Sequence, residues 1–140
     1  MTDIEETLVL VKPDGVARNL TGEILRRIEA KGYSLVDIRM LQADRILLAA
    51  HYEEHHGKPF YEPLVEFMES GPVVAIRVAG HRVIEGFRSL AGTTDPTTAA
   101  PGTIRGDLAR DWGLKVQQNL VHGSDSPESA ARELALWFPA

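Results

Sequence analysis

Leu8-Val9-Leu10-Val11 is an unbroken apolar run, and Lys12-Pro13-Asp14-Gly15 follows it at once. Alternate side chains of a strand point to opposite sides of a sheet, so Glu6 to Val11 reads as a strand buried on both faces. Proline and glycine then stop the strand and force a turn. That leaves Lys12 at the rim, where the strand leaves the core. Most lysines before a turn are merely solvated, so this position alone assigns no role.

The remaining periodicities build around that strand. Thr21 is placed to cap a helix to about Lys31, with Ile24, Leu25 and Ile28 on one face and Gly32 as terminator. Tyr33 to Leu41 alternates, with Val36, Ile38 and Met40 set against Asp37 and Arg39, which predicts a half-buried strand. Asp44 to about His55 is helical in pattern, and after Gly57-Lys58-Pro59 a second helix runs from Phe60 to Glu69. Val73 to Ala79 predicts a third strand. His81 to Ala91 predicts a helix with Val83, Ile84, Phe87 and Leu90 inward. Gly92 to Asp107 has no periodicity and predicts a loop, and loops that long are usually functional or disordered. Lys115 to His122 predicts the last strand. Ser126-Pro127-Glu128 opens a helix, with Ala131, Leu134, Ala135 and Phe138 as its buried face. This order predicts an α+β fold, a ferredoxin-like sandwich: a four-stranded antiparallel sheet with helices packed on it. Without repeats or linkers, residues 1–140 are expected to form one domain.

Composition narrows the setting. Cysteine is absent, which excludes disulfides and thiolate metal sites and fits a reducing compartment. No apolar run approaches the roughly 20 residues that span a bilayer, and the acidic stretch from Met1 to Glu6 lacks a basic n-region. A cytoplasmic protein is expected. The net charge of -5, from 15 basic and 20 acidic residues, gives no general attraction for nucleic acid. An anionic small ligand would need a local basic cluster.

The chain contains no G-x-x-x-x-G-K-[ST] phosphate loop, G-x-G-x-x-G turn or G-x-S-x-G elbow. His51-Tyr52-Glu53-Glu54-His55 fits H-x-x-E-H, a zinc-peptidase pattern. Gly57 and Pro59 end that helix at once and a third ligand must come from elsewhere, so the match reads as chance. Arg105-Gly106-Asp107 matches an adhesion tripeptide and reads the same way. More telling is that Lys12, Arg88, Thr94, Arg105, Asn119 and His122 all fall at element ends or in the long loop. Guanidinium forks and a lysine suit a polyphosphate, and a neutral histidine is the side chain best able to attack phosphorus near pH 7. His122 read alone fits a strand-end cap slightly better, and it is the company of the other five residues that points to chemistry.

Lys12-Pro13-Asp14-Gly15, His51-Tyr52, Lys58-Pro59-Phe60-Tyr61, Gly71-Pro72-Val73, Pro101 to Asp107, Asn119 to Ser126 and Leu136-Trp137-Phe138 together resemble the nucleoside diphosphate kinase family. The resemblance runs from about Glu6 to Phe138, and its N-x-x-H-G-S-D element is highly specific. The stop soon after Phe138 resembles the bacterial members. The resemblance implies transfer of the γ-phosphate of ATP or another nucleoside triphosphate to a nucleoside or deoxynucleoside diphosphate, by a ping-pong cycle through a pros-phosphohistidine on His122. It implies that Glu133 holds the imidazole and that Ser124 supports the geometry or the phosphate. Lys12 would contact both sugar and phosphate, and Tyr52 would lie beside the transferring group. Arg88, Thr94 and Arg105 would grip phosphates, with His55 assisting, and Asn119 would bind the sugar hydroxyl. Phe60, Leu64 and Val116 would hold the base. Mg²⁺ would arrive with the nucleotide, and Asp125 would reach it through water. It further implies a homo-oligomer, hexamer or tetramer. The stretch around Arg110-Asp111-Trp112-Gly113 reads longer than the family pattern, which leaves Val116 and Trp112 open. A non-catalytic nucleotide-binding module is the competing reading.

Overall fold

The computed structural model describes residues 3–116 and 118–140. The first strand, β1 (Glu5–Val11), carries the predicted two-sided burial: Leu8 and Leu10 enter one core, Val9 and Val11 the other. β2 (Ser34–Leu41), β3 (Val73–Gly80) and β4 (Val121–Gly123) complete the four-stranded antiparallel sheet that the sequence predicts, and its strand order is β2-β3-β1-β4. Helices α2 (Thr21–Ala30) and α5 (Val83–Ala91) cover the face of Val9 and Val11 through Ile24, Ile28, Val83 and Phe87. Helices α3 (Arg45–His51), α4 (Tyr61–Glu69) and α7 (Pro127–Trp137) cover the other through Leu48, Val65, Met68, Leu134 and Trp137. Two short helices lie among them: α1 (Pro13–Ala17) and α6 (Ile104–Leu108).

Local chemistry departs from the sequence expectations at several places. α1 forms where only a turn was expected, because proline fits the first position of a helix and lacks only an N–H that would be unpaired there. α6 emerges from the aperiodic stretch because the Thr103 side chain accepts from the Gly106 N–H. Thr21 does not cap α2; Leu20 holds the cap position without a side-chain bond. The predicted helix through His55 stops at His51, and Glu53–His55 form a separate 3-10 turn. His51 and His55 therefore do not share a helix face.

β2 is not half-buried. It is an edge strand with a register shift between Leu35 and Asp37, and Ile38 and Met40 stand 45% and 63% exposed. The last strand is shorter than predicted, with Lys115 and Val116 outside it. Leu120 adopts φ +74, which breaks extended geometry, and its N–H bonds the Asp14 carboxylate instead of a strand partner. Upstream, Trp112 lies at the surface against Arg110 and Arg18, at 4.2 and 5.9 Å. The buried face of α7 is Ala130, Glu133, Leu134 and Trp137; Ala131 and Ala135 are exposed. An apolar-only stripe misses this face because one of its buried members is a carboxylate. No helix of the described residues is long and apolar enough to cross a membrane.

Candidate active site

The register sets the position of His122. It stands opposite Leu10 in the β1–β4 pair, and directly opposed residues share a face. His122 thus points to the side where α3 and α7 pack. Gly123 permits this approach: a β-carbon there would sit 2.6 Å from the Phe87 ring.

One residue of α7, Glu133, meets the imidazole, and Ser124 just beyond β4 braces that carboxylate. Glu133 Oε1 accepts from His122 Nε2 at 2.8 Å and from the Ser124 hydroxyl at 2.7 Å. Ser124 is fully buried, and its oxygen also accepts the Leu8 N–H. Burial pushes the Glu133 carboxyl up, but the His122 hydrogen bond, the charges of His122 and His51 and the Ser124 bond outweigh it and leave it below its usual range. A carboxylate only accepts, so Nε2 carries the proton and Nδ1 keeps the lone pair. Sequence spacing places Trp137 one turn beyond Glu133 on the same face, and its indole N–H donates to His51 Nδ1 at 3.0 Å.

The cationic groups gather in the cleft that the imidazole lines. Lys12, Arg88, Thr94, Arg105, Asn119, Asp125, Tyr52 and His55 line one cleft of about 300 Å³ with His122 and Glu133. Lys12 donates to Asn119 Oδ1 at 3.0 Å, and the Asn119 amide donates to the Thr94 carbonyl. Burial, then the nearby Arg105 charge, lowers the Lys12 ammonium to about 8 despite Asp14. Arg105 donates to the carbonyls of Asn119, Gly92 and Val121, tying the long loop to β4. Burial and then Arg88 lower it to about 10. Burial also raises the Tyr52 phenol. A hydrogen bond from Ser129 leads the effects that hold Asp125 below the usual carboxylate range. This is the local basic cluster within an acidic chain that an anionic ligand requires.

Three predicted residues stand apart. Phe60, Leu64 and Val116 are not among those lining the cleft. Phe60 is 47% exposed and meets its mouth through His55, ring to ring at 5.1 Å. The sequence reading missed His51, Arg132 and Trp137. His51 is buried with its ring 4.8 Å from that of His122, and Arg132 donates to the carbonyls of Ala50 and His51. The H-x-x-E-H pattern flagged His51 for the wrong chemistry. For Trp137 the signal was its four-residue step from Glu133.

The arrangement offers a basic imidazole nitrogen beside a cationic cradle, which is what phosphoryl capture needs. The family model described as nucleoside diphosphate kinase matches residues 5–140. The chain is 60% identical over 136 residues to the nucleoside diphosphate kinase of Mycolicibacterium vanbaalenii, covering 96% of this chain and 97% of that one. It is also 60% identical to that of Streptomyces avermitilis, covering 96% of each. Among solved structures, a halophilic nucleoside diphosphate kinase from Halobacterium salinarum in complex with CDP superposes with a TM-score of 0.91 at 45% identity, over 99% of this chain and 90% of that one. The chain belongs to the nucleoside diphosphate kinase family.

Proposed function

We propose that this family's reaction, transfer of a terminal phosphoryl group from a nucleoside triphosphate to a nucleoside diphosphate, runs on His122 Nδ1 in this chain. The observation that carries the reading is the 2.8 Å bond from His122 Nε2 to Glu133, which leaves Nδ1 as the nucleophilic nitrogen. Nδ1 attacks the γ-phosphorus, the bond to the β-phosphate oxygen breaks, and the diphosphate leaves with that electron pair. The imidazole gains positive charge as the new N–P bond forms, and the Glu133 carboxylate offsets it. A second diphosphate then takes the group by the reverse displacement. Positioning and charge neutralisation supply most of the rate in such transfers.

Lys12, Arg88, Arg105 and Thr94 hold the phosphates, and Tyr52 and His55 flank the transferring group. Asn119 takes the sugar hydroxyl. Phe60, with Leu64 and Val116, receives the base by stacking and apolar contact, which tolerates any base. The relative solved with CDP supports a diphosphate acceptor. The nucleotide enters as its Mg²⁺ complex, since the family works on such complexes. Mg²⁺ prefers oxygen ligands and keeps several waters, and ionised Asp125 in the cleft suits a water-mediated contact. The ion's share is to neutralise phosphate charge. One domain spans the chain and acts in the cytoplasm. It acts as a homo-oligomer, tetramer or hexamer, and the exposed apolar side chains of edge strand β2 support such an assembly.

Incubation with γ-labelled ATP is expected to leave acid-labile, alkali-stable label on the wild type and none on His122→Ala. Equal labelling of the two proteins sinks the assignment.

A further inference from the structure

Three imidazoles line the cleft: His55 meets Phe60 at its mouth, while His51 and His122 pack ring to ring deeper in, and of that inner pair the mechanism above uses only His122. His51 is 4% exposed, lines the cleft, and meets His122 edge to face. A ring nitrogen of His51, one of His122 and a Glu133 carboxylate oxygen lie within 4.8 Å of one another. Two histidines and a carboxylate are the donor set of many catalytic zinc sites. A second imidazole with an open lone pair would also compete for the phosphoryl group. This site therefore carries a liability that something must remove.

The Trp137 hydrogen bond removes it. An indole N–H only donates, so His51 Nδ1 must accept and cannot hold a proton. A neutral His51 then carries its proton on Nε2. One nitrogen is occupied by the indole and the other is capped by hydrogen, so neither offers a lone pair to a metal or to phosphorus. Burial favours the neutral ring, and the neighbouring His122 acts in the same direction, lowering His51 to about 3. For Nε2 to bind a metal, the proton would have to move to Nδ1 and face the indole N–H head on.

We propose that Trp137 holds His51 as its Nε2–H tautomer and so acts as a positioning residue that leaves the inner wall of the cleft one basic ring nitrogen, His122 Nδ1. This rests on His122 being the nucleophile. Trp137 touches no reacting atom; it acts through His51, whose ring meets that of His122 edge to face at 4.8 Å.

The first test needs no substitution. In the ¹⁵N-histidine-labelled protein, long-range ¹H–¹⁵N spectra across neutral pH are expected to show His51 protonated at Nε2 alone; an Nδ1–H or mixed tautomer overturns the proposal. The second uses Trp137→Phe, titrated calorimetrically with Zn²⁺ alone. Binding is expected to tighten by about tenfold or more, the usual size of an outer-shell effect on metal affinity, and to weaken again in Trp137→Phe with His51→Phe added. Phosphate transfer by Trp137→Phe is expected to lose roughly 5- to 10-fold in kcat, the equivalent of about one neutral hydrogen bond, with KM little changed. Unchanged zinc affinity in a folded Trp137→Phe overturns the proposal, and if that variant does not fold the wild-type spectrum decides. Absence of phosphohistidine on the wild type would instead sink the functional reading and leave the tautomer measurement standing.

Discussion

At the scale of single residues, charge state does most of the work in the cleft. Lys12 sits at about 8 rather than 10.5 because burial and Arg105 disfavour its ammonium. Below pH 8 it is charged and available to phosphate; as pH rises through 8 it loses the proton and binding weakens. KM for the nucleotide is therefore expected to climb above about pH 8, partly offset because the bound phosphate itself favours the ammonium. The sign for stability is opposite: between 8 and 10.5 the unfolded chain binds the extra proton, so the ligand-free fold gains stability as pH rises. A steady-state KM–pH profile beside a melting series separates the two, and a flat KM would count against Lys12 as a phosphate ligand. Glu133 is the second such residue. Glu133→Gln keeps the shape but loses the charge that offsets the developing imidazolium. Its kcat is expected to fall about 10²-fold with KM nearly unchanged, the size seen when one oriented electrostatic partner is removed; single-turnover phosphorylation measures it.

At the scale of elements, much was legible because periodicity follows burial. β1, β3, α2 and α5 could be read from their apolar spacing, and the Ser126-Pro127 start of α7 from its capping chemistry; Ser126 does accept from the Ser129 N–H. What could not be read was set by contacts distant in sequence. The late start of β4 depends on Asp14, which bonds Leu120 from 106 positions away. The true face of α7 depends on a buried carboxylate whose partners, His122 and Ser124, lie outside the helix. The cleft's cationic wall could be inferred as a set from element ends, while His51 looked like one more helical residue. Gly123 is the element-scale test. A β-carbon there meets Phe87, so Gly123→Ala must part β4 from α5. A loss of about 1–3 kcal/mol is expected, as for other overpacked cores, together with a fall in kcat as His122 moves; chemical denaturation and activity assays report each.

At the scale of the whole molecule, the sheet has one well-covered centre and an open edge. The accessible surface of 7372 Å² is close to the value of about 7,000 Å² expected for a chain of this length, yet it includes the apolar side chains of Ile38 and Met40. If β2 is where copies meet, Ile38→Lys is expected to shift sedimentation to a smaller species while the isolated fold survives; an unchanged sedimentation coefficient would place the interface elsewhere. The Leu8 bond to Ser124 spans 116 positions, and through Ser124 it supports the carboxylate that orients the imidazole. Closing a loop of that size is slow, because its entropy is lost before its contacts are gained. The His122–Glu133–Ser124 arrangement proposed for phosphoryl capture is thus completed only after the two ends of the chain have found each other. During refolding, regained phosphorylation should trail regained helical signal, so this enzyme's own chemistry acts as a clock for the last step of its folding.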